Sequence, residues 1–362
     1  MAPLSTVATS CDVAIVGGGP AGSAAALALR RHAPDLGVAL FEAGTYDCYR
    51  AGEIVASTAG AIFSELSVLS AIGEAGFPSL PTVRAAWERP QALEEHALFS
   101  ARGSGWIVER SYFDQLLSSL AAERGASVAV GCRVATLARS SKGWLLRLRG
   151  GARCEARFLI LATGRDWGLI RNLGGRLQVS DRLVGRVRVL RGDEGADRGL
   201  MIEAAEDGWW YSAPIGRGVR VMAWMTDADL SDPSDEADWA MALAKTQLMR
   251  EMAKSVGACA HAALFPAMTT RMRSAAGAGW VAAGDVAAAF DPLSAQGVTK
   301  ALRAGLFAAY AAADALAGRA EACDRFAFLV ERECEAYAKA YRAAYQSVYR
   351  WPESPFWSRR AQ

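Results

Sequence analysis

The sequence predicts an α/β fold in which a domain of parallel strands and helices is interrupted by a β-sheet domain and followed by C-terminal helices. An apolar run at 13–16 leads through several glycines into an alanine-rich helical segment and a second apolar run at 38–41, the pattern of a βαβ unit. From about 180 to 225 apolar and polar residues alternate, as in half-buried strands. The apolar strand pattern returns at 280–285, so the first domain surrounds the second in the sequence.

The bulk composition describes an ordinary globular protein. With 362 residues, of which 52% are hydrophobic and 22% charged, the chain is long enough for two subdomains with a sizeable core. A net charge of +2 gives no reason to expect nucleic acid or an acidic membrane as a partner. No signal-peptide pattern opens the chain, and no apolar run is long enough to span a membrane. We therefore expect a cytoplasmic protein without a membrane span.

The cysteine and histidine patterns give little support to a disulfide or metal site. The seven cysteines are scattered, odd in number and without a Cys-x-x-Cys pair, so we expect reduced thiols. The three histidines, His32, His96 and His261, are far apart in the sequence, which argues against a metal site or a histidine-based triad. We expect no bound metal.

The glycines after the first apolar run predict a dinucleotide site. They are spaced as Gly17-x-Gly19-x-x-Gly22 and precede a helical segment at 24–29. Gly17 permits a tight turn, Gly19 lets the backbone approach a pyrophosphate, and Gly22 lets the helix pack closely on the strand. The second apolar run ends in Glu42, about twenty residues later, where a carboxylate for the ribose is expected. The helix N-terminus favours phosphates because of its free N–H groups and its dipole.

The domain boundaries follow from the order of these patterns. A further helix is expected near Arg110, and apolar runs at 128–130, 143–148 and 157–164 predict strands. We expect the nucleotide-binding domain at 1–80, 101–178 and 269–320, the β-rich domain at 81–100 and 179–268, and a C-terminal helical segment at 321–362.

Four separated motifs match one known pattern. They are the glycine motif with Glu42, Arg110-x-x-Phe113-Asp114-x-x-Leu117, Ala162-Thr163-Gly164, and Gly284-Asp285 followed by the segment 291–298. Together they resemble the FAD-containing aromatic hydroxylase superfamily, which has the para-hydroxybenzoate hydroxylase fold, in the branch that also holds geranylgeranyl reductases and flavin-dependent halogenases. The resemblance covers most of the chain. It implies an FAD-binding, Rossmann-like domain of the GR2 type.

The resemblance also implies roles for individual residues. The acid of the Gly-Asp pair, here Asp285, would hydrogen-bond the ribityl chain, and Arg110 would contact the cofactor. The segment that begins at Pro292 would line the isoalloxazine, and Glu53 matches a cofactor-facing loop. Two structural alternatives remain, Asp285 as a helix N-cap and Arg110 as an exposed first-turn residue. The residues expected at FAD are Gly17, Gly19, Ala21, Gly22, Glu42, Glu53, Arg110, Thr163, Gly164, Gly284, Asp285, Pro292, Gln296, Gly297 and Val298.

The segment 208–214 separates this chain from the halogenases of the superfamily. Halogenases carry Gly-Trp-x-Trp-x-Ile-Pro here, whereas this chain keeps Gly208, Trp209 and Pro214 but has Tyr211 and Ala213 in place of the second tryptophan and the isoleucine. Halogenases also need a lysine in the nucleotide-binding half to relay hypohalous acid, and no lysine precedes Lys142. Arginine is a poor replacement because it stays protonated. Halogenation is therefore the less favoured reaction.

The same segment is similar to that of smaller relatives that act as hydroxylases. These include the flavoproteins that modify tryptophan during tryptophylquinone biogenesis, and the C-terminal segment 349–357 is similar to the same branch. At alternating strand spacing Trp209 and Tyr211 face one side and Trp210 the other, so at least one of the three is expected to fill the core.

The electron donor is left open by the sequence. In the aromatic hydroxylases a motif centred on Asp-Gly serves both FAD and NAD(P)H, but here Trp167 interrupts the pattern between Asp166 and Arg171. No second glycine motif is present for a separate nicotinamide domain. Either NAD(P)H or externally reduced flavin, supplied by a reductase partner, remains a candidate.

The resemblance implies an FAD monooxygenase that uses molecular oxygen, through a flavin hydroperoxide, to hydroxylate a phenol or an indole. The substrate is expected to be a small aromatic molecule or a tryptophan in a peptide or protein. A general base would assist, and Glu53, Asp291 and Tyr211 are the candidates, with Trp209 and Pro292 also expected at the reaction site. Two alternatives remain: a reductase similar to geranylgeranyl reductases, and a flavin-binding accessory protein that acts only with a precursor-protein partner.

Overall fold

The computed structural model describes residues 8–97, 103–191, 199–216, 218–231, 235–257 and 259–361. The expected segments 1–80, 81–100, 101–178, 179–268 and 321–362 therefore lie partly outside the described residues. None of the helices in these ranges is long and apolar enough to cross a membrane.

The described residues form helices and strands in the order that the sequence patterns suggest. The helices are α1 (Pro20–His32), α2 (Ala59–Glu65), α3 (Leu69–Glu74), α4 (Arg110–Glu123), α5 (Glu236–Ala244), α6 (Leu248–Ser255), α7 (Gly297–Leu316), α8 (Ala322–Gln346) and α9 (Pro355–Ala361). The strands are β1 (Ser10–Val16), β2 (Val38–Glu42), β3 (Ile54–Val55), β4 (Thr82–Ala86), β5 (Leu93–His96), β6 (Trp106–Ile107), β7 (Ser127–Val130), β8 (Val134–Ser140), β9 (Gly143–Leu148), β10 (Arg153–Leu161), β11 (Leu177–Val179), β12 (Leu183–Arg191), β13 (Leu200–Ala205), β14 (Gly208–Gly216), β15 (Val219–Asp227), β16 (Cys259–Pro266), β17 (Thr270–Met272), β18 (Ala276–Gly277), β19 (Trp280–Ala282) and β20 (Ala288–Ala289).

The first sheet carries the glycine motif. Its order is β18-β19-β10-β1-β2-β7, and the neighbours from β19 to β7 run parallel. The β8–β9 hairpin joins it through β10. Because helices α1, α4 and α7 pack on this sheet, its central strands are apolar on both faces, as parallel strands buried on both sides are.

Two glycines of the β1–α1 turn cannot be replaced without a clash. Gly17 has φ +108°, and a Cβ there would lie 2.2 Å from the Ala162 carbonyl oxygen. A Cβ on Gly22 would lie 1.8 Å from the Gly17 carbonyl oxygen. The turn and the close packing of α1 therefore depend on both residues.

The second sheet is largely antiparallel, with the order β16-β12-β15-β14-β13-β4-β5, and only β4 and β13 are parallel neighbours. Strand alternation places Trp209 and Tyr211 on one face and Trp210 on the other, where Trp210 stacks on Trp224 and packs against Trp239 of α5. Trp210 is therefore a core residue, as expected for at least one member of this group.

The C-terminal helices connect the two sheets. Helix α8 packs against α7 at the first sheet, and its residue Tyr345 joins the apolar cluster around Trp209 on the second. Phe356 and Trp357 of α9 extend that cluster. Helix α8 therefore contacts both sheets.

Candidate functional site

A cavity of about 730 Å³ lies between the two sheets. One wall comes from the β1–α1 turn, the end of β2 and the segment 48–54; the other comes from β12, β14 and the end of β16. This size falls within the range of small-molecule and cofactor sites.

The structure brings most of the predicted site residues to this cavity. Gly22, Gly284 and Gln296 do not line it: Gly22 packs against the turn, Gly284 approaches Ala21, and Gln296 is exposed before α7. The predicted residues that do line it are Gly17, Gly19, Ala21, Glu42, Glu53, Arg110, Thr163, Gly164, Trp209, Tyr211, Asp285, Asp291, Pro292, Gly297 and Val298.

Glu42 is held at the end of β2 in a fixed orientation. Its carboxylate accepts hydrogen bonds from the backbone N–H groups of Gly18, at 2.6 Å, and Gly44, at 2.9 Å. Arg50 donates to it at 2.9 Å. A buried carboxylate at this position, with a guanidinium beside it, can accept hydrogen bonds from ribose hydroxyls.

Arg110 begins α4, and an ion pair holds its side chain, which is 14% exposed. It forms a bidentate pair with Asp114, both contacts at 2.9 Å, and donates to the Ala51 carbonyl oxygen. Burial opposes its charge, but the Asp114 carboxylate outweighs burial and raises the pKa of Arg110. Arg110 is therefore not an exposed first-turn residue. Arg50 also contacts Asp114, at 3.2 Å, which links this pair to Glu42.

Asp285 lies in a 3₁₀ turn at Gly284–Val286 and is held by two cations. The Lys300 ammonium contacts it at 2.8 Å, and the Arg165 guanidinium lies 3.4 Å away. Burial alone would raise the pKa of Asp285, but Lys300 and Arg165 lower it below the ordinary value. The carboxylate is 29% exposed and lines the cavity, so it can still accept a hydrogen bond from a bound ligand.

Glu53 also lines the cavity and lies between two phenols. The Tyr49 hydroxyl donates to one carboxylate oxygen, and the Tyr211 hydroxyl lies 3.5 Å from the other. Glu53 is buried. Burial and the Glu53 carboxylate both raise the pKa of Tyr211, so its phenol stays protonated and acts as a donor.

Asp291 is a buried acid without a cation in hydrogen-bond contact among the described residues. It accepts from Tyr345, at 2.6 Å, and from the Leu293 backbone, at 2.8 Å, and Trp209 donates to the Tyr345 hydroxyl at 2.8 Å. Burial raises the pKa of Asp291 to about 6 despite these hydrogen bonds. A hydrogen-bonded chain thus runs from the cavity wall at Trp209 to a titratable buried acid.

The donor set at the glycine turn fits FAD. A Cβ on Gly19 would meet nothing closer than 3.9 Å, so there is room above the N-terminus of α1 for a pyrophosphate. Arg50 and Arg165 are cations at the cavity, and Glu42 and Asp285 are acceptors for ribose and ribityl hydroxyls. These groups would hold the dinucleotide, and the Pro292 segment would border its isoalloxazine.

The sequence motifs did not identify five residues that hold the predicted acids in position. Arg50 holds Glu42, Arg165 and Lys300 hold Asp285, Tyr49 holds Glu53, and Tyr345 holds Asp291. Arg50 and Tyr49 stand beside Glu53 in the sequence, and Lys300 is one of few lysines, so a signal existed for these three. Tyr345 had none, because only the docking of α8 brings it to Asp291.

Comparison with known families agrees with this geometry. A family model described as an FAD binding domain matches residues 10–333. The chain belongs to this family. Its members include FAD-dependent aromatic hydroxylases and halogenases, so the protein is an FAD-dependent oxidoreductase and FAD is its cofactor. The predicted superfamily, fold class and cofactor are confirmed.

Two relatives are similar to this chain over most of its length. The putative FAD-dependent oxidoreductase LodB of Marinomonas mediterranea is 28% identical over 367 residues, with 97% of each chain covered. A brominase of 1H-pyrrole-2-carbonyl-peptidyl-carrier protein from Pseudoalteromonas luteoviolacea is 25% identical over 329 residues, which cover 85% of this chain and 79% of that protein. Both relatives extend the family likeness beyond the nucleotide-binding domain.

Solved structures share the fold. The myxobacterial chondrochloren halogenase CndH superposes with a TM-score of 0.86 at 20% identity, covering 97% of this chain and 86% of that one. The peptidyl tryptophan dihydroxylase QhpG, essential for tryptophylquinone cofactor biogenesis, superposes with a TM-score of 0.77 at 24% identity, covering 97% and 78%. One fold therefore serves both halogenation and hydroxylation.

Proposed function

We propose that this protein is an FAD-dependent monooxygenase that hydroxylates an electron-rich aromatic ring, and that the ring is a tryptophan side chain in a peptide or protein. Reduced FAD would supply the activation of molecular oxygen. The chain's own residues would exclude water, orient the ring and accept its proton.

The observation that carries the proposal is the position of Glu53. A buried carboxylate beside phenols and a tryptophan, in the same cavity as the dinucleotide cradle, can accept the proton of an indole N–H or a phenol O–H. The contact from Tyr211 is long, at 3.5 Å, so a substrate donor can replace it at small cost. Trp209 offers an aromatic wall against which the substrate ring can pack.

A peptide substrate is supported by the relatives. QhpG is named for peptidyl tryptophan, and the brominase acts on a carrier-protein-bound pyrrole, so the fold accepts rings attached to larger partners. A precursor protein is therefore the proposed partner of this chain.

Halogenation is the second candidate, since most of the structural neighbours are halogenases. The argument against it is chemical: among the described residues no lysine lines the cavity. Lys300 is buried and bound to Asp285 and to the Ala288 carbonyl oxygen. Without a free amine, the residues at hand offer no relay for hypohalous acid.

A reductase without a need for oxygen is the third candidate. Its substrate would be long and apolar, whereas the Glu53 carboxylate and the phenols of Tyr49 and Tyr211, which are not needed for the dinucleotide, favour a ring with a proton to lose. The electron donor in either case is NAD(P)H or externally reduced flavin.

The test is product analysis under labelled dioxygen. The FAD-loaded protein is reduced with dithionite and mixed with tryptophan-containing peptides, bromide and isotopically labelled oxygen, and the products are read by mass spectrometry. We expect oxygen from dioxygen in the indole ring. A brominated product would establish halogenation instead, and a product formed equally well without oxygen would establish a reductase or dehydrogenase.

A further inference from the structure

The two edges of the second sheet differ in how they are protected. At one end β5 is short, has the sequence Leu-Glu-Glu-His, and is exposed along its length. Glu94 of β5 pairs with Arg84 of β4 at 2.9 Å. Short, charged edge strands resist the addition of another strand.

At the other end β16 carries none of these protections. It has eight residues, Cys-Ala-His-Ala-Ala-Leu-Phe-Pro, with no aspartate, glutamate, lysine or arginine, and its proline is the last residue. Leu264 is 46% exposed and Ala262 is exposed. Its inner edge pairs with β12, and within the described ranges no strand pairs with its outer edge. Such an edge is a template for main-chain pairing.

One face of β16 borders the site. From His261 onward the pairing with β12 is regular, so His261 and Phe265 share a face. Phe265 lines the main cavity, and His261 lines a smaller cavity of about 300 Å³ beside it. Both cavities also include Tyr49 and Glu53.

Tyr49 stands between the two cavities. Its ring lies 5.7 Å from that of Phe265 and 6.3 Å from that of His261, and its hydroxyl donates to Glu53. The cavity-facing side of β16 is therefore one aromatic ring away from the proposed proton acceptor.

We infer that the outer edge of β16 binds an extended segment of the peptide or protein substrate as an added strand, and that this places the aromatic side chain beside Tyr49 and Glu53. The inference rests on the proposed peptide substrate. A strand added at about 4.8 Å from β16 would direct alternate side chains to the face shared by His261 and Phe265. Main-chain hydrogen bonds would then supply affinity, and the cavities would select the ring.

A second copy of this chain is the competing occupant, since two β16 edges could pair with each other. The position of β16 favours the substrate, because one face of β16 lines the two cavities. A substrate strand would use these cavities, and a second copy of the chain would not.

The experiment measures binding separately from oxidation. The holoenzyme is titrated into fluorescent, uncharged peptides that are rich in valine and threonine with a central tryptophan, and anisotropy gives Kd. N-methylation of single backbone amides, moved along the peptide, should weaken binding about fivefold at alternate positions only, because each lost hydrogen bond contributes roughly 1 kcal/mol. The variant Leu264→Lys should weaken binding similarly, and its matched control Leu93→Lys on β5 should not. Flavin content and Tm report whether the variants are folded.

Each result decides the inference. An N-methyl pattern without alternation, no binding by any peptide, or equal loss in the two lysine variants would overturn it. A concentration-dependent dimer in sedimentation that Leu264→Lys abolishes would assign β16 to a second copy. If peptides bind with the alternating pattern but no oxygen enters the ring, the docking surface is supported and the monooxygenase proposal fails. If Leu264→Lys does not fold, the N-methyl series alone tests the inference.

Discussion

The acids at the two ends of the cavity are held by different kinds of partner. At the dinucleotide end Glu42 is paired with Arg50, and Asp285 with Lys300. In another part of the cavity wall, Glu53 and Asp291 accept hydrogen bonds from the phenols of Tyr49, Tyr211 and Tyr345. We call these the charged end and the phenol end.

This difference favours cofactor binding at the charged end and proton transfer at the phenol end. At the charged end Lys300 and Arg165 overcome burial and lower the pKa of Asp285, so that acid stays ionised and can act only as a fixed acceptor. At the phenol end burial prevails and raises the pKa of Asp291 to about 6, so that acid can change its protonation state near neutral pH. An acid that stays ionised is suited to hold a cofactor, and an acid that titrates near neutral pH is suited to proton transfer in the reaction.

The largest expected effect is at the charged end. Asp285→Ala should abolish FAD retention, measured as flavin absorbance per protein after desalting, because the cavity loses an acceptor. It also leaves Lys300, which is 2% exposed, unpaired at a cost of about 3–5 kcal/mol. The double variant Asp285→Ala/Lys300→Met removes that cost, so it should regain Tm without regaining flavin. A yellow single variant with full occupancy would exclude Asp285 from the cofactor site.

The next effect is at the phenol end. Glu53→Gln should keep its flavin but lower substrate oxidation about a hundredfold, the typical share of a general base. The matched control is Glu109→Gln, since Glu109 lines the smaller cavity without bonding to Tyr49 or Tyr211. Loss of flavin from Glu53→Gln would place Glu53 with the cofactor residues, and an undiminished rate would exclude it as the base.

Asp291 should make stability depend on pH. Because its folded pKa, about 6, is above the ordinary value of 3.8, the folded state binds the extra proton and stability falls as pH rises from about 4 to 6. The expected loss is about 3 kcal/mol. Denaturant titrations at several pH values should show that the free energy of unfolding of Asp291→Asn rises by this amount relative to that of the wild type as pH rises through this range. A parallel pH dependence in both proteins would mean that Asp291 stays ionised.

The charged end was the more predictable from sequence. Gly17, Glu42, Arg110 and Asp285 lie in motifs in which local spacing determines the geometry, and all four line the cavity. Gln296 does not line the cavity: it follows Ala295, which adopts φ +47°, and it is exposed. The segment between β3 and β4 forms two short helices, α2 and α3, and Ser67 at φ +54° lies between them.

The phenol end depends on contacts between distant segments. Tyr49 and Glu53 meet Tyr211, and Asp291 meets Tyr345, only after the second sheet and α8 have packed against the first domain. Sequence spacing carries no information on such packing. The sequence identified Glu53, Tyr211 and Asp291 as candidate bases from their residue types and positions. It could not assign their hydrogen-bond partners or say which of them is titratable.

The smallest effect expected is at Tyr211, and it compares two phenols on one carboxylate. The Tyr211 hydroxyl lies 3.5 Å from Glu53, a weak contact, whereas Tyr49 approaches the other oxygen more closely. Tyr211→Phe should therefore retain FAD and change turnover only a few-fold, and Tyr49→Phe should change it more. Steady-state rates with a tryptophan peptide, measured beside flavin content, give both values. An unchanged rate for Tyr211→Phe would remove Tyr211 from the reaction. A larger effect at Tyr211 than at Tyr49 would mean that the substrate displaces Tyr49 on binding, so that Tyr211 alone then orients the carboxylate.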